Sequence, residues 1–268
     1  MARLKGPIQF IGSVGNIKSV YNKKLKRYIL STKGGPSAAL IKNSPAFART
    51  RENMSEFKAC GKSSSQLRKS LLLISHLFDG YYFSEIVKLA KEIQIHDDEN
   101  PKGHRSIETS KTSRLLTTLN FNRKRPFNHI FTDMATIVLS EDKKTVELSL
   151  TAFKASKRIH WPSRFSSYRI ALVIAQMPDY VYSDADADYA PVIRDMEQLS
   201  VITWTEWLPN TADPRDILLS ASFKDPALQQ SGTTVVVAMG IEISSILLKP
   251  TDSFTSPLGT MKIVECFV

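Results

Sequence analysis

From residue 134 onward the hydrophobic residues of this chain recur at every second position or run unbroken, and no other feature constrains the fold as strongly. The pattern predicts strands at 134–140, 145–153, 168–176, 200–208, 216–223, 233–248 and 260–268, divided by turn-rich pieces such as "SEDKK", "MPDYVYSDADAD" and "LPNTADP". Seven strands without an intervening helical period imply a β-sandwich or barrel, and an antiparallel sandwich, Ig-like or jelly-roll-like, is the expected form. "RIALVIAQ" and "TTVVVAMGIEI" lack polar alternation and read as central strands buried on both faces. "TMKIVECFV" alternates, as an antiparallel strand near an edge does.

Upstream the grammar differs. "NIKSVY" and "LKRYIL" flank "NKK" as a hairpin with its basic residues on one face, with Gly12 and Gly15 as bends and Gly34-Gly35-Pro36 as the stop. Next, Ser44 suits an N-cap, Pro45 the first helical position and Gly61 a stop, with Phe47, Met54 and Phe57 on one face. "SSSQLRKSLLLISHLF" places Leu67, Leu71, Ile74 and Phe78 on an inner stripe, and "YYFSEIVKLAKEIQI" makes a third helix after Asp79-Gly80. "HDDENPKGHRSIETSKTSR" reads as a linker or exposed excursion. The expected architecture is α+β: a basic Gly-rich hairpin or arm at 1–36, a basic helical region at 37–126 and an acidic sandwich at 127–268.

The formal net charge of +10 is unevenly spread. Residues 1–126 carry 24 Lys+Arg against 9 Asp+Glu, a balance of +15, whereas 127–268 carry 12 against 17, a balance of −5. Opposite fields imply two surfaces with different partners. At 42% hydrophobic and 23% charged, the chain can bury a core. Its longest apolar runs fall far short of the ~20 residues needed to span a bilayer, and the N-terminus lacks a signal-like apolar core. A cytoplasmic protein, or part of a particle assembled in the cytoplasm, is expected. Cys60 and Cys266 form no CxxC pair and read as reduced, buried thiols.

Familiar chemical motifs fail on inspection. "CGKSSS" ends like a phosphate-binding loop, but Glu56 stands where that loop needs glycine, and a helix precedes it instead of a strand. What survives is an anion held by Lys62 and the free amides of Ser63, Ser64 and Ser65 at a helix start, set against simple capping. "GSVGN" lacks the third glycine and the strand–helix setting of a dinucleotide site. Asp184, Asp186 and Asp188 open like a calcium loop, yet Tyr189 stands at position six and Asp195 at position twelve, so a solvated acidic loop is preferred.

His76 reads as a core residue, while His96 and His104, flanking Asp97, Asp98 and Glu99, are the remaining candidates for a metal. His129 and His160 stand apart. No HExxH, GxSxG or acid pair in a recognisable setting is present, so no enzyme activity, cofactor or metal is expected.

The remaining chemistry is basic. "NKKLKRY", "FARTRE", "QLRKS" and "FNRKRPF" interleave cations with aromatic or aliphatic residues, as polyanion-binding surfaces do, giving Lys23, Lys24, Lys26, Arg27, Arg49, Arg51, Arg68, Lys69, Arg123, Lys124 and Arg125 as candidate contacts for a polyanion or partner. The competing explanations are a solvated face, or docking on the acidic domain of a neighbouring copy.

The opening "MARLKGPIQFIGSVGNIKSVY" and the later "SPAFARTRENMSEFKAC", carried by Gly6-Pro7, Gly12, Gly15-Asn16 and Pro45, resemble the start of uncharacterised proteins of Bacteroidota over about the first 70 residues. The resemblance implies a Gly-rich hairpin, a helical middle and a C-terminal sandwich, assigns no activity, and leaves a phage-like or mobile-element origin open. The expected function is a non-enzymatic structural or interaction protein that self-assembles or docks on a larger assembly. The alternatives are a nucleic-acid-binding protein using the basic half, and a carbohydrate-binding sandwich using Trp161, Trp204 and Trp207, of which Trp204 and Trp207 should point to opposite faces of one strand.

Overall fold

The computed structural model describes residues 2–3, 9–32, 34–132, 134–193, 200–224, 231–244 and 258–268. Gly6-Pro7, Asp195 and the end of the strand expected at 233–248 lie outside them. The chain divides into two compact units, unit 1 at Met1–Arg51 and unit 2 at Glu52–Val268, so the division falls at neither of the two expected boundaries.

Unit 1 is a four-stranded antiparallel sheet followed by a short helix. Strands β1 (Ala2–Arg3), β2 (Gly12–Val14), β3 (Ile17–Asn22) and β4 (Arg27–Thr32) run in the order β1-β4-β3-β2. The expected hairpin is β3–β4, closed by the turn Lys23–Lys26, and Gly15, at φ +55°, supplies the left-handed residue of the two-residue turn before β3. Helix α1 (Ala38–Asn43) starts with the Ser37 hydroxyl accepting from the Leu40 amide at 3.2 Å.

Unit 2 is built on two long strands. After α2 (Ala48–Ser70), a 3-10 turn at Leu72–Leu77, α3 (Tyr82–Ile95), a second 3-10 turn at Ser113–Thr118 and α4 (Phe127–Ile130) come β5 (Thr136–Leu139), β6 (Thr145–Leu150), the short α5 (Ala155–Arg158) and β7 (Ser167–Pro178). The remaining strands are β8 (Tyr180–Ser183), β9 (Asp188–Pro191), β10 (Ser200–Trp204), β11 (Leu208–Pro209), β12 (Ile217–Ser222), β13 (Thr233–Ser244) and β14 (Gly259–Phe267). One sheet runs β10-β7-β13-β14, with β11 also on β7; a second runs β12-β6-β5; β8 and β9 pair as a hairpin. Six of the seven expected strands have a single counterpart among the described residues, while that expected at 200–208 is broken into β10 and β11, and the described pairings are antiparallel.

Strands β7 and β13 pair over twelve rungs, from Thr233–Pro178 to Ser244–Ser167, and are buried on both faces along most of their length, as their unbroken apolar runs require. One side, with Ile170, Leu172, Ile174, Val237, Met239 and Ile241, shares a buried cluster with Val146, Leu148, Leu150, Ile217 and Leu219 of the second sheet. The other, with Ala171, Val173, Ala175, Val236 and Ala238, packs against Leu67, Leu71, Ile74 and Leu77 and against Ile86, Leu89 and Ile93 of α3. The helices therefore share a core with the sheet. Strand β14 is an edge, with Met261 and Ile263 inward and Glu265 exposed.

Helix α2 corrects the expected boundaries. It runs through Gly61 to Ser70, joining two expected helices, and its buried side is Glu56, Ala59, Cys60, Ser63, Ser64, Leu67 and Ser70. Met54 and Phe57 are exposed. A buried face of small and polar residues gives no hydrophobic period, and tertiary packing offsets the ~1 kcal/mol that an internal glycine costs relative to alanine. Leu71, which precedes the following 3-10 turn, and Ile74 and Leu77 within it are buried, the three-residue repeat of that helix type.

The expected linker at 96–114 is an ordered loop. Asp97 accepts from the amides of Glu99, Asn100 and Ser106 at 2.9, 3.0 and 2.6 Å, and Asp179 accepts from Ser110 N at 2.9 Å and from Thr109 Oγ1 at 3.0 Å. Ile107 forms an isolated bridge with Tyr180. Buried carboxylates thus take up the amides of a polar segment, which composition alone cannot reveal.

Two glycines test this packing from opposite sides. A Cβ at Gly259 would stand 2.4 Å from the Ile241 carbonyl oxygen and from Leu77 Cδ2, whereas one at Gly61 would meet nothing within 4 Å. Gly259→Ala should destabilise by about 1–3 kcal/mol through overpacking, and Gly61→Ala should stabilise by about 0.5–1 kcal/mol. Urea-unfolding midpoints measure both.

Candidate interaction surfaces

Residues 1–51 contain 11 Lys+Arg and no Asp or Glu, whereas 52–268 contain 25 against 26. The whole cationic excess therefore belongs to unit 1, a sharper division than the halves compared above.

Cross-strand register sorts the sheet of unit 1 into two faces. Tyr21 pairs with Tyr28, Ser19 with Leu30 and Gly12, and Ile17 with Thr32 and Val14, which makes one face apolar and aromatic. Lys18, Val20, Asn22, Arg27 and Ile29 share the other. The Tyr21 and Tyr28 rings lie 5.0 Å apart, edge to face, on the second rung before the turn that carries Lys23, Lys24 and Lys26. That turn is fixed by the Asn22 side-chain oxygen, which accepts from the Leu25 amide at 2.9 Å, and by Lys26 at φ +47°. Among the described residues of unit 1 only Ser19 is buried, while Ile11, Val14, Ile17, Val20, Tyr21, Leu25 and Leu40 are exposed.

The eleven basic candidates divide between the units. Lys23, Lys24 and Lys26 are exposed in the turn and Arg27 begins β4 half-buried; Arg49 is exposed on α2. Arg51 instead donates through Nη1 to the Ile41 and Ser44 carbonyls at 2.7 and 2.8 Å, satisfying carbonyls at the end of α1. In unit 2, Arg68 lies 5.7 Å from the Phe83 ring centroid, Arg123 pairs with Glu85 and lies 5.1 Å from Tyr81, and Arg125 lies 4.5 Å from Trp161 with burial lowering its pKa. Lys69 and Lys124 are exposed.

Lys69 lines a cavity of about 560 Å³ between one stripe of α2, with Lys62, Ser65 and Gln66, and the β8–β9 hairpin. Lys62 donates to the Tyr189 carbonyl at 2.7 Å and stands 2.9 Å from Asp188 Oδ2, and Lys58 binds the same oxygen at 2.7 Å. Those two lysines hold the Asp188 carboxyl well below the usual range. The anion site expected at Lys62 loses its free amides, because Ser63, Ser64 and Ser65 lie inside α2. Asp184 and Asp186 lie in the β8–β9 turn, and Asp186 accepts from the Ser183 hydroxyl at 3.1 Å.

Of the histidines, His104 stacks on Tyr182 at 3.8 Å and His76 Nε2 lies 3.3 Å from Glu242 Oε1; His96 and His160 are exposed, and exposed His129 lines a second cavity of about 270 Å³. Among the described residues no three His, Cys, Asp or Glu side chains are grouped to hold a metal ion. Cys60 is buried and Cys266 half-buried; burial pushes their thiols up to about 11 and about 12.

The tryptophan expectation is corrected. Trp204 ends β10, Trp207 lies beyond it, and both turn toward Arg169, whose guanidinium carbon is 4.1 and 4.7 Å from their ring centroids. Arg169 in turn binds Glu242, its cross-strand partner, at 2.7 and 2.6 Å.

Sequence reasoning also missed the most buried charge, Glu56. It accepts from Arg105 Nε and Nη2 at 2.7 Å each, from the Gly103 amide at 2.9 Å, and from Lys91. Burial alone would raise its pKa, but these donors prevail and hold it at about 2.

Comparisons with protein-family models, curated proteins and solved structures found no match to this chain.

Glu56 sets a pH dependence. Its pKa is lowered from an ordinary 4.5, so its stabilisation is complete above that value and is lost as pH falls toward about 2. Glu56→Gln, which strands Arg105 and Lys91, should cost roughly 3 kcal/mol at neutral pH and flatten the acid limb of urea-measured stability. An unchanged acid limb would show that other carboxylates govern it.

Proposed function

We propose that this is a non-enzymatic interaction protein that docks on a larger assembly through unit 1, with unit 2 as the stable body. One observation carries the reading: no described apolar side chain of unit 1 is buried, while seven large ones are exposed. A sheet that buries no described apolar side chain gains little from folding alone, and Val14, Ile17 and Tyr21 leave apolar surface exposed on one of its faces, as interaction surfaces do. In unit 2, the two sheets that share one buried cluster are read as a β-sandwich with helices on its outer side.

Charge favours a foreign partner over a second copy. Two copies of unit 1 meeting face to face would each bring 11 cations with no anion to offset them, and unit 2, with 25 cations and 26 anions, offers no strong complementary field. The carbohydrate reading is weakened because Trp204 and Trp207 each give a face to Arg169 and Trp161 gives one to Arg125.

Tagged and isolated from its own cells, the chain should migrate well above its 30.1 kDa monomer mass. Val14→Ser with Ile17→Ser should return it to that mass with an unchanged melting transition of unit 2. Parent protein that migrates as a monomer would overturn the reading.

A further inference from the structure

Within the docking role given to unit 1, on which this inference rests, the β3–β4 tip has a chemistry of its own. We propose that it binds single-stranded nucleic acid, with phosphates on Lys23, Lys24 and Lys26 and a base stacked on Tyr21, which Tyr28 braces from the side.

Three observations converge on this partner. The three lysines stand exposed in one four-residue turn, with no acidic residue anywhere in residues 1–51 to compete for them. Lysine is depleted in protein–protein interfaces, whereas exposed lysines neutralising phosphates are the general source of nucleic-acid affinity. The aromatic pair lies on the second rung from that turn, next to Asn22–Arg27: Tyr21 is 39% exposed, and the edge-to-face contact with Tyr28 at 5.0 Å holds its ring in place. Cations beside an exposed ring make the combination that binds single strands irrespective of sequence, because every base has a stacking face.

The turn is also preorganised. The Asn22–Leu25 hydrogen bond closes it, and Lys26 occupies the left-handed region, where glycine would be at ease, so the charge is kept at a conformational cost. That makes Lys26→Gly a substitution that removes one cation without disturbing the turn.

The test is fluorescence anisotropy of the full chain with a labelled oligothymidylate, a duplex and poly-L-glutamate of similar length, each over a salt series. The oligothymidylate should bind most tightly. Lys26→Gly should reduce the slope of log affinity against log salt by about 0.7, and Lys23→Ala with Lys24→Ala by about twice that. Tyr21→Leu should weaken binding roughly five- to hundredfold at every salt concentration with the slope unchanged, and Tyr21→Phe should retain parental affinity.

Three results would overturn the inference: no oligothymidylate binding at low salt, poly-L-glutamate binding as tightly, which would assign the tip to an acidic protein, or duplex binding equally well with Tyr21→Leu silent, which would reduce the tip to a charge field. Failure here is separable from failure of the docking role. A large species that survives nuclease while the oligothymidylate goes unbound would leave docking intact and remove nucleic acid as the partner.

Discussion

The antiparallel pairing of β7 with β13 is the constraint on which unit 2 depends. Twelve rungs place alternate side chains of both strands into two different cores, one shared with the second sheet and one with the helices. Because both faces are covered, these strands can carry almost no polar residue except near their ends, and there the Arg169–Glu242 rung takes over. Gly259 opposite Glu242 and Gly240 against Ile74 and Leu77 mark where the helical layer comes too close for a side chain.

Charge is handled differently in the two units. Unit 2 brings its ions into fixed pairs: Glu56 with Arg105 and Lys91, Asp188 with Lys58 and Lys62, Glu242 with Arg169. Such pairs position elements more than they stabilise them, since desolvation consumes most of the Coulombic gain. Asp97 and Asp179 do the same for a polar loop through backbone amides. Unit 1 has cations and no Asp or Glu side chain to pair with them, and none of its described apolar side chains is buried.

The strands of unit 2 were legible because strands buried on both faces leave unbroken apolar runs that nothing else in the sequence imitates. The β8–β9 hairpin was not, since "YVYSDADADYAP" reads as one polar turn until its tyrosines are seen packed beneath the loop at 103–107. Helix α2 was cut in two because Gly61 and three serines lie on or beside a buried face with almost no large hydrophobe. The cationic excess is legible by counting, but comparing halves hides where it ends, at Glu52, the first acidic residue of the chain. Arg51 illustrates the limit of counting: its charge is spent on two carbonyls of its own unit.

The proposal for unit 1 is that a partner supplies the buried contacts its described residues lack. Amide hydrogen exchange of the full chain tests this directly, because protection reports local opening free energy. In the isolated protein, the amides of β3 and β4 should exchange orders of magnitude faster than those of β7 and β13, and should slow when the chain is in its assembly. Equal, long-lived protection of both sets in the isolated protein would contradict the account.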